Sequence, residues 1–545
     1  MPAIVVVNVS QQVGATPSKL QRTGAFISQG GTNTSPGTRT LLTQLSDLTP
    51  ILNGAKALTS LVQTGGLATA TATQPHGFTV GDTLELTISG ATPAAYNGTF
   101  LCTITTTTAF TYAVPSGTAS SATGTMVYTP EDVAELTAMA TTFFAQGTNV
   151  SVYVLELGPG NPTDGVTYLT AWITANPGVF YSYLVPRTWD GNSSFLAFLA
   201  SFESPTAKTY FWVTTTLATY TLYTAQMKCV KALIEAPVYG AWPANALTAI
   251  SYSNGIVTAT TTTAHGVQPG QWFSISGVTP SGYNGTFLAQ PGTTGSTLVY
   301  AVSATLGAES VLGTLVASYY ASAGVPATEF SRAAGFRVTL NYDPSSSNKV
   351  TPYNYSFLFG VTPFPVQGNS AILATLASAN IEVVGTGAEG GISDTIAVGG
   401  NFLDGNPVNY WYSVDWAQIN VNLNISNAVI NGSNDPANPL YLNQAGINAL
   451  QAVGASTFNS AVTFGLALGS VVQTEMDGPA FSAALALGSF AGQVVINAVP
   501  FSAYYAANPG DFKIGKYAGF TAVYTPQRGF DQIVFNIIVT DFVAG

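Results

Sequence analysis

Few residues in this chain are equipped for chemistry. It has two histidines, His76 and His265, and two cysteines, Cys102 and Cys229. Each histidine precedes a glycine, Gly77 or Gly266, in a matching context. The acid nearest the first, Asp82, is replaced by Gln271 near the second. No cluster of partners converges on either, so the expectation is a turn histidine bonded to the local backbone and not a general base. The run Gly385-Thr386-Gly387-Ala388-Glu389-Gly390 matches a dinucleotide fingerprint and follows an apolar run, Ile381–Val384. That chemistry needs a helix opening at the third glycine, to face a pyrophosphate. The residues that follow, Gly391-Ile392-Ser393-Asp394 and then Gly399-Gly400, make a poor helix, so a flexible loop is expected. Zinc-protease, nucleophile-elbow, dithiol and phosphate-loop patterns are absent. The expectation is a non-enzyme with no catalytic or metal-binding residue and no cofactor.

The histidines sit inside a repeat. One copy runs from Ala70 and His76-Gly77 through Gly81, Ile88-Ser89-Gly90 and Tyr96-Asn97-Gly98-Thr99-Phe100 to Tyr112-Ala113-Val114 and Gly124-Thr125. The other runs from Ala259 and His265-Gly266 through Gly270, Ile275-Ser276-Gly277 and Tyr283-Asn284-Gly285-Thr286-Phe287 to Tyr300-Ala301-Val302 and Gly313-Thr314. Short alternating strands between glycine turns predict a small β-barrel or sandwich in each. Asn97-Gly98 and Asn284-Gly285 predict two-residue hairpin turns. Two similar modules set far apart imply a modular chain with insertions.

Composition fits assembly better than catalysis. Charged residues are 7% of the 545, against about 25% in typical globular domains. Few charges need to be desolvated when such subunits pack. Hydrophobic residues make up 46% and aromatics 11%, which excludes wholesale disorder. A net charge of −11 argues against bulk nucleic-acid binding. Lys19, Arg22, Arg39 and Lys56 oppose only Asp47 near the start, whereas Tyr353 to Asp511 holds acids and no Lys or Arg. Basic and acidic regions could be complementary faces of neighbouring copies, or a chance segregation in a charge-poor chain. Two cysteines make no disulfide framework. The start, Met1 to Val7, lacks the basic region of a signal peptide. The long uncharged region Ala480 to Ala507 is broken by Gly488, Gly492 and Pro500, so no membrane insertion is expected.

Between the modules the pattern alternates. Strands are expected at Ala25–Ser28, Val150–Leu157, Phe180–Val185, Tyr210–Thr214 and Ile381–Val384. Helices are expected at Thr40–Val62, Glu131–Gln146 (capped by Thr129, with Pro130 at its first position), Tyr168–Ala175, Ser194–Phe202, Leu222–Ala236 and Ser370–Ala379. Cys229 falls in the helix-like run. This is an α/β core. Further on, Val408–Asn424 is strand-like, Tyr441–Gly454 and Pro479–Gly488 are helical, and Phe520–Tyr524 is a strand. The fold class is α+β multidomain: an α/β core interrupted by two homologous small β domains, then an α+β C-terminal domain with extended terminal strand arms.

Both chain ends carry β-branched runs: Ile4, Val5, Val6, Val7 and Val9 at the start, and Ile533, Val534, Phe535, Ile537, Ile538 and Val539 near the end. Unpaired strands are an aggregation hazard in a monomer. They are useful when inserted into a neighbour's sheet.

The strand Ile4–Val9, the run Glu131–Leu157, and the stretch from Asp511-Phe512-Lys513-Ile514-Gly515-Lys516-Tyr517 through Tyr524-Thr525-Pro526 to Ile533–Val539 resemble the contractile bacteriophage tail sheath family. The modules resemble small β domains of phage structural proteins. The resemblance implies a strand arm at 1–24 and a discontinuous core at 25–66, 130–245 and 319–401. It implies inserted modules at 67–129 and 246–318, a C-terminal domain at 402–530 and a second arm at 531–545. It further implies a virion tail subunit, assembled in the host cytoplasm, that stacks with its own copies around a tail tube protein between baseplate and tail terminator proteins. Contraction of that lattice would drive the tube through the host envelope. The competing reading is a tail fibre, baseplate or adhesin-type protein whose modules bind glycan or another host surface, with Tyr96, Tyr283 and the module loops as platforms.

Overall fold

The computed structural model describes residues 23–115, 117–147, 149–204, 207–223, 227–236, 244–265, 267, 269, 272–302, 306–315, 325–340, 344–365, 370–389, 392–468 and 495–530. In chain order, β1 (Gly24–Ser28) and β2 (Arg39–Leu42) precede β3 (Lys56–Thr64), β4 (Leu67–Ala72), β5 (Thr83–Ser89), β6 (Gly98–Ile104), β7 (Ala109–Ala113) and β8 (Val127–Pro130). Next come α1 (Glu131–Ala145), β9 (Val152–Glu156), α2 (Pro162–Ala175), β10 (Ser182–Leu184), α3 (Ser193–Phe202), β11 (Tyr210–Thr215) and β12 (Val230–Ile234). Then follow β13 (Asn245–Ser253), β14 (Ile256–Thr261), β15 (Trp272–Ser276), β16 (Gly285–Leu288), β17 (Thr297–Ala301) and β18 (Thr314–Leu315). The chain continues through α4 (Ser331–Thr339), α5 (Ser370–Ser378), β19 (Glu382–Glu389) and β20 (Ile392–Val398). It ends in α6 (Val408–Asn434), α7 (Gln444–Thr463), β21 (Val495–Ala498), α8 (Phe501–Ala507), α9 (Pro509–Lys513) and β22 (Phe520–Val523).

The molecule is a mixed α/β multidomain protein. Its main sheet has eight strands in the order β2-β9-β1-β10-β11-β12-β19-β20. The strands from β9 to β19 run parallel, and β2 and β20 are antiparallel edges. Alternation along the strands feeds two apolar layers. Ala25, Ile27, Phe211 and Val213 meet Val166, Leu169, Phe195 and Leu199 of α2 and α3. Phe26, Tyr210 and Trp212 meet Met139, Phe143, Ala334 and Phe336 of α1 and α4 on the other face. Buried on both faces, these strands are mostly apolar, as expected of parallel sheets, with Glu156, Lys231 and Glu382 as buried charges among them.

β3 to β8 form a closed barrel in the order β3-β4-β7-β6-β5-β8, filled by Leu61, Leu86, Ile88, Tyr96, Phe110, Tyr112 and Tyr128. β13 to β18 repeat that order as an open six-stranded sheet, β16-β15-β18-β13-β14-β17. The two copies differ at one seam. In the first copy Thr103 and Ile104 of β6 pair with β7. In the second, Pro291 stands where the first has Ile104, and the Gln290 amide reaches the Val299 carbonyl at 2.7 Å.

Several expectations are corrected. Thr40–Val62 is not a helix: β2, two 3₁₀ turns and β3 occupy it. Its leucines have helical spacing, but Pro50 and Gly54 divide it, and Leu58 and Leu61 point into the barrel. Leu222–Ala236 contains strand β12, buried along its whole length between two helical layers. Val408–Asn424 lies in a helix, α6. Its buried residues Val408, Tyr412, Trp416 and Ile419 fall on one helical face, and this tertiary pattern overrides its β-branched and aromatic composition. Pro130, not Thr129, caps α1. The expected helix at Pro479–Gly488 lies outside the described residues.

Candidate assembly surface

The residues first suspected of chemistry have structural settings. His76 and His265 are buried, and each Nδ1 accepts a backbone N–H two residues on, from Phe78 at 3.2 Å and Val267 at 3.0 Å. Burial pushes both imidazoles below the ordinary histidine range. Cys102 and Cys229 are free and buried, and burial raises the Cys102 thiol to about 12. Such thiols are inert. Among the described residues no group of three or more His, Cys, Asp or Glu could hold a metal ion, and no described helix is long and apolar enough to cross a membrane.

The glycine fingerprint is not a loop. Gly385 and Gly387 lie within β19, opposite Ile396 and Asp394 of β20. A Cβ on Gly385 would come within 2.5 Å of the Val398 side chain, so close strand packing requires the glycine.

The Asn-Gly pairs are not hairpin turns. Asn97 is extended, at φ −92°. Its side chain accepts from the Ala91 amide at 2.9 Å and donates to the Ala91 carbonyl at 2.8 Å. Asn284 clamps Val278 in the same way, at 2.8 and 2.7 Å. Tyr96 and Tyr283 are fully buried, their hydroxyls donating to the carbonyls of Ala119 and Gly307. They are core residues, and the proposed glycan platforms do not exist at these positions.

Two buried polar clusters escaped sequence reasoning. Glu382 accepts from Arg332, Lys231 and Tyr353, all buried. Burial alone would raise its pKa, but Arg332 and Lys231 hold it below the ordinary value. The available signal was Lys231 inside Val230-Lys231-Ala232-Leu233-Ile234, because a charge in a two-face strand must be paired. Asp415 of α6 accepts from the hydroxyls of Tyr181 (3.0 Å) and Tyr210 (2.8 Å), joining α6 to the main sheet. Glu382 and Asp415 are therefore not part of an acidic outer face.

A small separate sheet lies toward the C-terminal end of the described residues. β21 and β22 pair antiparallel, Val495 opposite Val523 and Ala498 opposite Phe520. No third strand joins them among the described residues. The segment between them is fixed: Tyr504 donates to Asp511 at 2.7 Å, Tyr517 donates to the Val499 carbonyl at 2.6 Å, and the Tyr505 and Phe512 rings meet edge to face at 5.2 Å. Within it Phe512 and Ile514 are 53% and 73% exposed, and Phe530, beyond β22, is 76% exposed. The arm residues Ile4, Val5, Val6, Val7, Val9, Ile533, Val534, Phe535, Ile537, Ile538 and Val539 lie outside the described residues.

No family model and no curated protein matches the chain. Among solved structures, the crystal structure of a sheath tail protein from Listeria innocua is similar at a TM-score of 0.33 and 8% identity, over 89% of this chain and 90% of that one.

Proposed function

We propose that the chain is a structural subunit of a phage tail sheath. In this reading it polymerises with its own copies around a tail tube and contracts to drive the tube through the host envelope. The observation that carries the reading is the open two-stranded sheet of β21 and β22. This sheet packs on α7, and its open edge is a template on which a further strand can pair. The β-branched run Ile533–Val539 begins a short distance after β22, and a neighbour's arm adding to this sheet is β-augmentation. The exposed Phe512, Ile514 and Phe530 supply apolar surface for such a contact. A head-to-tail contact of this kind generates rings where its rotation closes and a helical lattice where it does not.

The partners in this reading are other copies, a tail tube protein, and baseplate and tail terminator proteins. The chain works without a cofactor, catalysis or nucleic acid, in the virion tail after assembly in the host cytoplasm. The test is negative-stain microscopy of purified protein with and without residues 531–545. The full chain is expected to form striated tubes or rings. The shortened chain is expected to keep its circular dichroism and stay dispersed. Normal tubes from the shortened chain would overturn the arm mechanism.

A further inference from the structure

A doubly wound sheet offers its ligand crevice outside the carboxyl ends of the strands, where the strand order reverses. With β9, β1, β10, β11 and β12 in that order, the reversal falls at the end of β1. The loop leaving β1 is Ser28-Gln29-Gly30-Gly31-Thr32, and its donors converge on one point.

That point is occupied by the carboxylate of Glu156, the last residue of β9, which is 1% exposed. Its Oε1 accepts from the amides of Gly30 at 2.6 Å and Gly158 at 2.8 Å. Its Oε2 accepts from the Thr32 amide at 3.0 Å and from the hydroxyls of Ser28 and Thr32 at 2.8 and 2.6 Å. Ser28 Oγ also accepts the Gly31 amide at 3.1 Å, which leaves its proton for Glu156. All five donors are uncharged. Two glycines let the backbone wrap the carboxylate. Gly30 and Gly158 have φ of +79° and +91°, and a Cβ on Gly30 would fall 2.9 Å from Pro159. The rest of the crevice is closed by Gln29, which donates to the Asn161 carbonyl at 2.9 Å and accepts from the buried Trp189 indole at 2.5 Å.

A concave set of amides and hydroxyls is the donor set that recognises a small oxyanion. We propose that this crevice is an anion cradle whose resident ligand is the chain's own Glu156, and that shortening this side chain opens it to a free carboxylate or phosphate. A tethered carboxylate binds without the association cost of a free ion, so dissolved anions do not compete in the intact chain. The cradle thereby works as a latch, fastening the loop after β1 to the end of β9.

The test compares melting of the intact chain, Glu156→Ala and Glu156→Gln in sodium chloride and in sodium acetate, formate or phosphate at equal ionic strength. Glu156→Ala is expected to melt lower than the intact chain in chloride. It should recover in a saturable way with acetate or formate, as linkage requires. The intact chain should show no such saturable difference. If Glu156→Ala is insoluble in chloride, folded protein is expected only when it is prepared in acetate or formate. Equal behaviour of Glu156→Ala in oxyanion and chloride would overturn the proposal. Glu156→Gln keeps the shape but turns an amide N–H₂ toward donors. It is expected to melt lower and gain nothing from acetate, and melting like the intact chain would also overturn the proposal.

Discussion

Arg332 and Glu382 face each other as a bidentate pair, Nη1 to Oε2 at 3.0 Å and Nη2 to Oε1 at 2.9 Å, with both side chains fully buried. Lys231 reaches the same carboxylate at 2.8 Å and Tyr353 at 2.7 Å. One acid thus ties β12, α4, β19 and the segment around Tyr353 together. Glu382→Gln leaves two buried cations against a neutral amide. Removing one partner of a buried pair costs about 3–5 kcal/mol, so the unfolding free energy from urea titration should fall by that amount, with the midpoint moving to lower urea. An unchanged midpoint would refute the cluster's role.

The contact between Asp415 and Tyr210 carries a pH dependence. Burial pushes the Asp415 carboxyl up from 3.8 to about 6, against Lys228, the Tyr210 hydroxyl, Lys208 and the Tyr181 hydroxyl, which lower it. A group whose folded pKa is raised gives stability that is full below the unfolded value and is lost as pH rises through the folded value. The loss from this group should fall between pH 4 and pH 6 and reach about 3 kcal/mol. Asp415→Asn should remove this component, which shows as a flatter profile in melts from pH 4 to pH 7.

The module histidines act in the opposite sense. Their folded pKa values are lowered by burial, so the unfolded state takes up protons first and stability falls as pH drops below about 6.5. Amide exchange in β5 should be faster at pH 5.5 than at pH 7.5 after correction for intrinsic rates. His76→Asn, which keeps an acceptor for the Phe78 amide, should lose that sensitivity. A wild-type barrel insensitive to this interval would contradict the buried neutral imidazole.

Asn97→Gly distinguishes the clamp from a turn. A hairpin turn would tolerate or prefer glycine. The clamp loses both bonds to Ala91, and each is worth about 1 kcal/mol. The barrel should lose about 2 kcal/mol, read from amide exchange along β5 and β6, whereas an unchanged barrel would restore the turn interpretation.

Much of the fold was legible because it is local. Strand and helix alternate from Val152 to Thr215 in the expected order, although α2 opens at Pro162, ahead of the expected Tyr168, because the Asn161 side chain caps it by accepting from the Asp164 amide. The repeat was legible because the same residues recur at the same spacing. What misled was composition read without partners. The α6 residues have strand-like types but helical burial, and the β2–β3 region has helical spacing but strand partners. Asn97 sits before a glycine, yet only the position of Ala91 shows what its side chain does.

A charge-poor modular chain, two copies of one β module and an alternating α/β core are readable from the residues alone, because periodicity and repetition are properties of neighbours along the chain. The tertiary structure decided what the isolated polar residues are for. Glu156 meets the loop after β1, Arg332 meets Glu382, and Asp415 meets Tyr210 across long stretches of chain. A buried charge or amide must find a partner, but the topology of the sheet alone selects which one.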